Sequence, residues 1–288
     1  MGAAARHGLC GLSKPETAAL RHTPALLLAA AFAPIAAAAP AEGARSVAAL
    51  LGGWSEPGGD RVAGLSIALA PGWKTYWRAP GEAGLPPVFD WSGSSNVAAV
   101  TVEWPAPEVF DSFGVTTLGY SGEVVLPLVV TPADPALPVS LRLALDYGVC
   151  RDICVPASAE LTLEIAPDAP PEAGALIAAH RARAPRDAAS AGLLRAECGV
   201  AGSGTDRRFA GRLVFDRTLR ATPLVVIEGP EGVWIAPPDV ARRGSELSLA
   251  AEAQVWGGPD WIARDALRLT LIGPEGAVEV RGCVAPQG

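Results

Sequence analysis

Cys150 and Cys154, in the run Y-G-V-C-R-D-I-C-V-P, are separated only by Arg151, Asp152 and Ile153. Two thiols this close can form a disulfide that a partner thiolate opens and a neighbouring thiol closes again. The other chemistry-bearing residues are few. Beyond residue 39 the chain carries one histidine, His180, one lysine, Lys74, and no methionine. A Ser-His-Asp triad or a histidine zinc site would have to rely on His180, which is expected to be a solvated residue near a helix C-terminus. No glycine-rich loop precedes a helix, so nucleotide binding has no support, and no cofactor or metal is expected. Copper(I) prefers soft ligands, and only the two close cysteines could offer them. The lone lysine has no physical role that the sequence reveals.

The compartment decides what cysteines do. Residues 25–39 (A-L-L-L-A-A-A-F-A-P-I-A-A-A-A) follow Arg6, Lys14 and Arg21 and end in small residues, the pattern of an export signal cleaved near Ala39. Pro34 breaks this run, which is shorter than the roughly 20 residues a spanning helix needs. Removing residues 1–39 takes three basic residues and one acidic one from totals of 23 and 30, leaving 20 against 29 and a net charge of −9. Such a charge argues against nucleic acid or an anionic membrane as partner. The expected location is an oxidising space outside the cytoplasm, where thiols pair unless kept reduced.

Cys10 leaves with the signal, and the remaining Cys150, Cys154, Cys198 and Cys283 allow three connectivities. The short spacing favours Cys150–Cys154, which leaves Cys198–Cys283. By chain entropy a bridge across about five residues stabilises by roughly 2 kcal/mol, and one across about 86 by roughly 4.5 kcal/mol. The long bridge therefore reads as a structural staple. The short one is a poor staple, better explained by exchange chemistry, although an inert disulfide at a hairpin tip is the competing explanation.

The positioning elements are strands. Val139, Leu141, Leu143, Leu145 and Tyr147 alternate with Ser140, Arg142, Ala144 and Asp146, and Leu161, Leu163 and Ile165 alternate with Glu160, Thr162 and Glu164. The cysteine pair lies between two strands expected to pair, with Gly148 and Pro156 suited to a turn. Val62–Ala70 and Val124–Val130 are further strands. Glu172–Arg183 reads as a short helix with an acidic start and a basic end. Beyond it, Arg212–Asp216, Leu224–Ile227, Glu246–Ala250, Leu267–Ile272 and Ala277–Arg281 are short strands separated by Gly and Pro, the pattern of a second β-sandwich. Trp54, Trp73, Trp77, Trp91, Trp104, Trp234, Trp256 and Trp261 are each expected in core packing. Glu160 and Glu164 are expected to face water.

Three motifs in order, G-W-K-T-Y-W-R-A-P-G-E-A-G-L-P-P-V-F-D-W-S-G-S-S-N-V (72–97), G-Y-S-G-E-V-V-L-P-L (119–128) and Y-G-V-C-R-D-I-C-V-P (147–156), resemble the periplasmic N-terminal domain of DsbD-type thiol:disulfide interchange proteins, especially the ScsB-like branch. The resemblance spans roughly residues 50–165, and residues 175–288 resemble more loosely the second β domain of ScsB-like proteins.

It implies an all-β protein of two immunoglobulin-like sandwiches joined by a short helical linker, with signal peptide 1–39, redox domain 45–168, linker 169–195 and second sandwich 196–288. It implies a protein-disulfide reductase in which Cys154 is the sulfur exchanged with partners and Cys150 resolves the mixed disulfide. The electron donor would be a membrane or thioredoxin-like protein and the clients oxidised periplasmic proteins. The family's cap loop corresponds to E-V-F-D-S-F-G (108–114), with Phe113 and then Phe110 as the shielding ring. Two features depart from the family: three residues rather than five separate the cysteines, and no multi-span domain follows, so the donor is expected to be a separate protein. The rival reading is a periplasmic adaptor or copper-binding module with an inert hairpin disulfide.

Overall fold

The structure is a computed structural model that describes residues 43–81, 83–112, 114–203, 206–256 and 263–286. Residues 1–39, read above as an export signal, and Phe113 and Trp261 lie outside the described residues.

In chain order the elements are β1 (Ser46–Ser55), β2 (Arg61–Leu69), β3 (Lys74–Gly81), β4 (Val88–Asp90), β5 (Val97–Val102), β6 (Glu108–Ser112), β7 (Val115–Ser121), β8 (Glu123–Pro132), β9 (Val139–Cys150) and β10 (Cys154–Ile165). A helix, α1 (Gly174–Arg181), follows. Then come β11 (Arg186–Asp187), β12 (Leu193–Ser203), β13 (Asp206–Phe215), β14 (Leu224–Glu228), β15 (Val233–Ile235), β16 (Asp239–Arg243), β17 (Glu246–Val255), β18 (Arg268–Gly273) and β19 (Gly276–Arg281).

The fold is all-β, in two sandwiches. In the first, a four-stranded sheet ordered β1-β2-β8-β5 faces a six-stranded sheet ordered β10-β9-β3-β7-β6, with β4 added to β9. Their inner faces hold one core, including Leu65, Ile67, Trp77, Tyr120, Leu126, Leu128, Leu141, Leu143 and Leu145. The alternation read along Val139–Tyr147 is the alternation of this core face.

β2 does not alternate: every residue in it is buried. Its second face is covered by α1, whose Ile177 packs with Val62, Val125 and Ala173. Gly64 makes that approach possible, because a Cβ there would lie 2.9 Å from an Ile177 side-chain carbon.

The helix corrects two expectations. It starts at Gly174, so Glu172 lies outside it and no acidic residue occupies its first turn. Tertiary contact sets this start, since the N–H of Ala173 is bonded to the Gly52 carbonyl of β1. His180 is not solvated. It is 9% exposed, and its Nδ1 contacts the Leu176 carbonyl at 3.1 Å.

In the second sandwich a four-stranded sheet ordered β11-β19-β18-β14 faces a five-stranded sheet ordered β12-β13-β17-β15 with β16 added to β17. Phe209, Leu213, Phe215, Leu247, Leu249, Leu267 and Leu269 lie in its core. The β11–β19 pairing is parallel.

The outer face of the four-stranded sheet meets the first sandwich, where Leu224, Val226 and Ile272 pack against its core cluster. Arg78 of β3 reaches across this contact, with Nε 2.9 Å from Glu228 and Nη2 2.7 Å from Glu279. Its guanidinium also lies 4.2 Å over the Trp77 ring.

The tryptophans divide. Trp77 is fully buried, and Trp54, Trp73, Trp91 and Trp104 are partly buried against the two clusters of the first sandwich. Trp234 and Trp256 are 45% and 58% exposed, contrary to the core reading. Trp234 pairs with Gln254 on the outer face of β15–β17, while its neighbour Ile235 faces inward. Glu160 and Glu164 are exposed.

Candidate active site

β9 and β10 form a hairpin in which Cys154 pairs directly with Cys150, and Arg151, Asp152 and Ile153 make the turn. The cysteines are joined as a disulfide with Cα atoms 4.1 Å apart. Cys198 is joined to Cys283. Gly148 and Pro156 are not the turn residues, because they face each other as a strand pair.

Gly148 has a different use. A Cβ there would sit 2.7 Å from Leu85 Cβ and 3.0 Å from the Tyr76 ring, so its hydrogen lets both side chains close over the hairpin.

Side chains directly opposed across antiparallel strands share a face. Lys74 of β3 is the register partner of Cys150, and Cys150 that of Cys154. The three therefore form a row on the outer face of the six-stranded sheet. Tyr76 is two residues on from Lys74, opposite Gly119 of β7, and Gly119 has no room for a side chain beside the Thr75 carbonyl. The inward residues between them are Thr75 and Trp77, both buried.

The two sulfurs have unequal surroundings. Cys150 is 6% exposed, whereas Cys154 is exposed beside Ile153, itself 68% exposed. Tyr76 is 2% exposed, and its hydroxyl lies 2.9 Å from Cys154 Sγ. A disulfide sulfur carries no proton, so the phenol donates. Burial pushes the Tyr76 phenol above its ordinary pKa of 10.0 and keeps it a donor at neutral pH.

Arg151 cannot serve the sulfurs freely. Its Nε is paired with Asp152 at 2.9 Å, and its guanidinium lies 5.4 Å from the Trp73 ring, which also carries Arg45 at 5.4 Å.

Phe110 is half-buried on β6, opposite Thr117. Its ring lies 4.8 Å from Lys74 Nζ, which is also 3.1 Å from Thr117 Oγ1. The cap candidate Phe110 is placed against Lys74. Desolvation lowers the Lys74 pKa below 10.5. The strand holding Phe110 is tethered: Tyr120 donates to the Pro105 carbonyl at 2.7 Å, and Ser121 to Glu108 at 2.7 Å.

Sequence reading missed Tyr76 and Lys74 as members of the site. The available signal was the alternation of W-K-T-Y-W, which puts Lys74 and Tyr76 on one face and Trp73, Thr75 and Trp77 on the other.

Among the described residues, no group of three or more His, Cys, Asp or Glu side chains is placed to hold a metal ion. No helix among them is long and apolar enough to cross a membrane.

Residues 49–166 match the family model described as "Thiol:disulfide interchange protein DsbD, N-terminal". That segment, less than half of the chain, is similar to the DsbD N-terminal domain. The fold over most of the chain is that of a solved structure, the N-terminal periplasmic domain of ScsB from Proteus mirabilis, with a TM-score of 0.61 and 24% identity over 84% of this chain and 92% of that one. The likeness to ScsB is one of fold. No curated protein matches the sequence. The matched segment is an immunoglobulin-like sandwich and carries its disulfide at the β9–β10 tip.

Proposed function

We propose that this protein is a periplasmic thiol-disulfide interchange protein that passes electrons through Cys150 and Cys154, from a membrane or thioredoxin-like donor to oxidised client proteins. The observation that carries this reading is the asymmetry of the pair within a DsbD-type domain: an exposed Cys154 held by Tyr76, beside a Cys150 that is 6% exposed.

Recharging begins when a donor thiolate attacks Cys154 Sγ. The Cys150–Cys154 bond breaks, its electron pair moves to Cys150, and that sulfur takes a proton. A second donor thiolate then releases Cys154. Towards a client, the Cys154 thiolate attacks the client disulfide and expels one client thiolate. Cys150 then attacks Cys154 and expels the second. Buried Cys150 is screened from direct attack by partners, which gives the two sulfurs their order.

In the same reading, residues 45–168 are the redox domain, 169–195 the connection and 196–288 a second sandwich that anchors it. Cys198–Cys283 is a structural staple, and the ring of Phe110 or Phe113 is the shield. The Cys154→Ala variant should lose all reductase activity while Cys150 remains, and the parent disulfide should have a reduction potential above the roughly −300 mV typical of structural bridges. A potential below that range, with no exchange in mild thiol buffers, would favour an adaptor with an inert bridge.

A further inference from the structure

The resolving step needs Cys150 as a thiolate, yet Cys150 is almost fully buried, and burial disfavours the charged sulfur. Some cation must offset that cost, and the groups facing the pair leave few choices. Tyr76 is neutral and directed at Cys154. Arg151 is paired with Asp152 and lies over the Trp73 ring, which Arg45 also approaches. Glu108, on the cap strand, is a carboxylate bonded by Ser121 and would oppose a thiolate.

Lys74 remains. It is the register partner of Cys150 on the same face of the sheet. Directly opposed residues have Cβ atoms about 4.5–5.5 Å apart, a gap that a four-carbon side chain spans by changing rotamer. With the disulfide closed, the ammonium rests on the Phe110 ring and the Thr117 hydroxyl, with no carboxylate within ion-pair distance among the described residues. A half-buried cation held only by a ring and a hydroxyl gains more from a thiolate than from its present partners.

We propose that Lys74 is a catalytic cation of the exchange reaction, swinging from Phe110 to the Cys150 sulfur when the disulfide opens and holding it as the resolving thiolate. This rests on the exchange reading above. In the mixed disulfide of Cys154 with a client, the Cys150 thiol gives its proton to water. The thiolate attacks Cys154 Sγ and forms the Cys150–Cys154 bond. The Cys154–client bond breaks, and its electron pair leaves on the client sulfur, which is protonated by water. The client gains two electrons, and the cysteine pair loses them. Desolvation lowers the proton affinity of the half-buried Lys74 ammonium while the disulfide is closed.

Two measurements test the role. In the Cys154→Ala background, the 13Cβ shift of Cys150 followed against pH reports its thiolate directly, with no need for reagent access. Lys74→Met should raise the midpoint by about one pH unit, roughly a tenfold smaller thiolate fraction at neutral pH, and Lys74→Arg should retain the parent midpoint. Lys74→Gln gives the same comparison if the methionine variant does not fold. Coincident midpoints in the parent and the uncharged variant overturn the proposal, even if exchange is active. With both cysteines present and glutathione disulfide as the probe, Lys74→Met should slow release of the second glutathione about tenfold and let the Cys154 adduct accumulate. Unchanged release also overturns the proposal. A parent pair inert to glutathione disulfide overturns the exchange reading itself, and the role of Lys74 with it.

Discussion

The two disulfides of this chain join residues 4 and 85 positions apart, and their surroundings differ as much as their spans. Cys150–Cys154 closes a hairpin that β-pairing already holds in register, so the bond adds little to the fold and leaves Cys154 in solvent. Cys198–Cys283 joins β12 to the segment after β19, fixing that segment across from one sheet of the second sandwich to the other. Backbone bonds run beside it, from Cys198 N–H to the Val284 carbonyl and from Val284 N–H to the Ala196 carbonyl. Cys198 is fully buried in the core cluster. A bond suited to repeated opening is one whose loss the fold survives. By loop length the hairpin disulfide meets that condition better than the long one.

Substitutions can break the comparison. The largest effect is expected from Cys154→Ala, which should abolish reduction of a disulfide substrate, while Cys283→Ala should leave the exchange rate per folded molecule unchanged. Activity surviving in Cys154→Ala would erase the functional distinction. Next, replacing both Cys198 and Cys283 by alanine should lower stability by about 4.5 kcal/mol, and replacing both Cys150 and Cys154 by only about 2 kcal/mol. Denaturant unfolding measures both, and equal losses would show that the long bridge is not the stronger staple.

Arg78→Ala sharpens the contrast between the sandwiches. It removes the cation shared by Glu228 and the largely buried Glu279 and should cost about 2–3 kcal/mol. Arg268 and Arg281 also lie near Glu279 and limit the loss. Unfolding midpoints followed separately in each sandwich would show whether the two still melt together.

The smallest effect concerns Tyr76. Its phenol has a raised pKa in the folded protein, so the stability it contributes is complete below the unfolded value near pH 10 and is lost as pH rises through the higher folded value. Tyr76→Phe should cost about 1 kcal/mol at neutral pH through the lost hydrogen bond and should flatten part of the decline above pH 10. An alkaline unfolding curve identical to the parent's would remove Tyr76 from that decline.

How far the site was legible depended on whether the determining contact was local. The β9–β10 hairpin was readable because period-two alternation and the spacing of its cysteines are properties of one short stretch. The buried run of β2 was readable as a strand, but not the reason for its double burial, which is α1 packing from more than a hundred residues away. Glu172 appeared to begin the helix because the macrodipole favours an acid there, yet a bond from Ala173 to β1 decided the start. Trp234 and Trp256 appeared to be core residues because tryptophan usually is. Only the strand register shows that Trp234 occupies the outer face.

By itself the sequence determined the strand content, the short cysteine pair and the likeness of one segment to a redox domain. These follow from residue type and local period. The tertiary structure alone decided that Cys154 is open and Cys150 closed, that Tyr76 bonds the open sulfur, and that Lys74 stands opposite the closed one. Those placements arise where β3 pairs with β9, strands some 70 residues apart, and no local pattern encodes which residues such a pairing brings face to face.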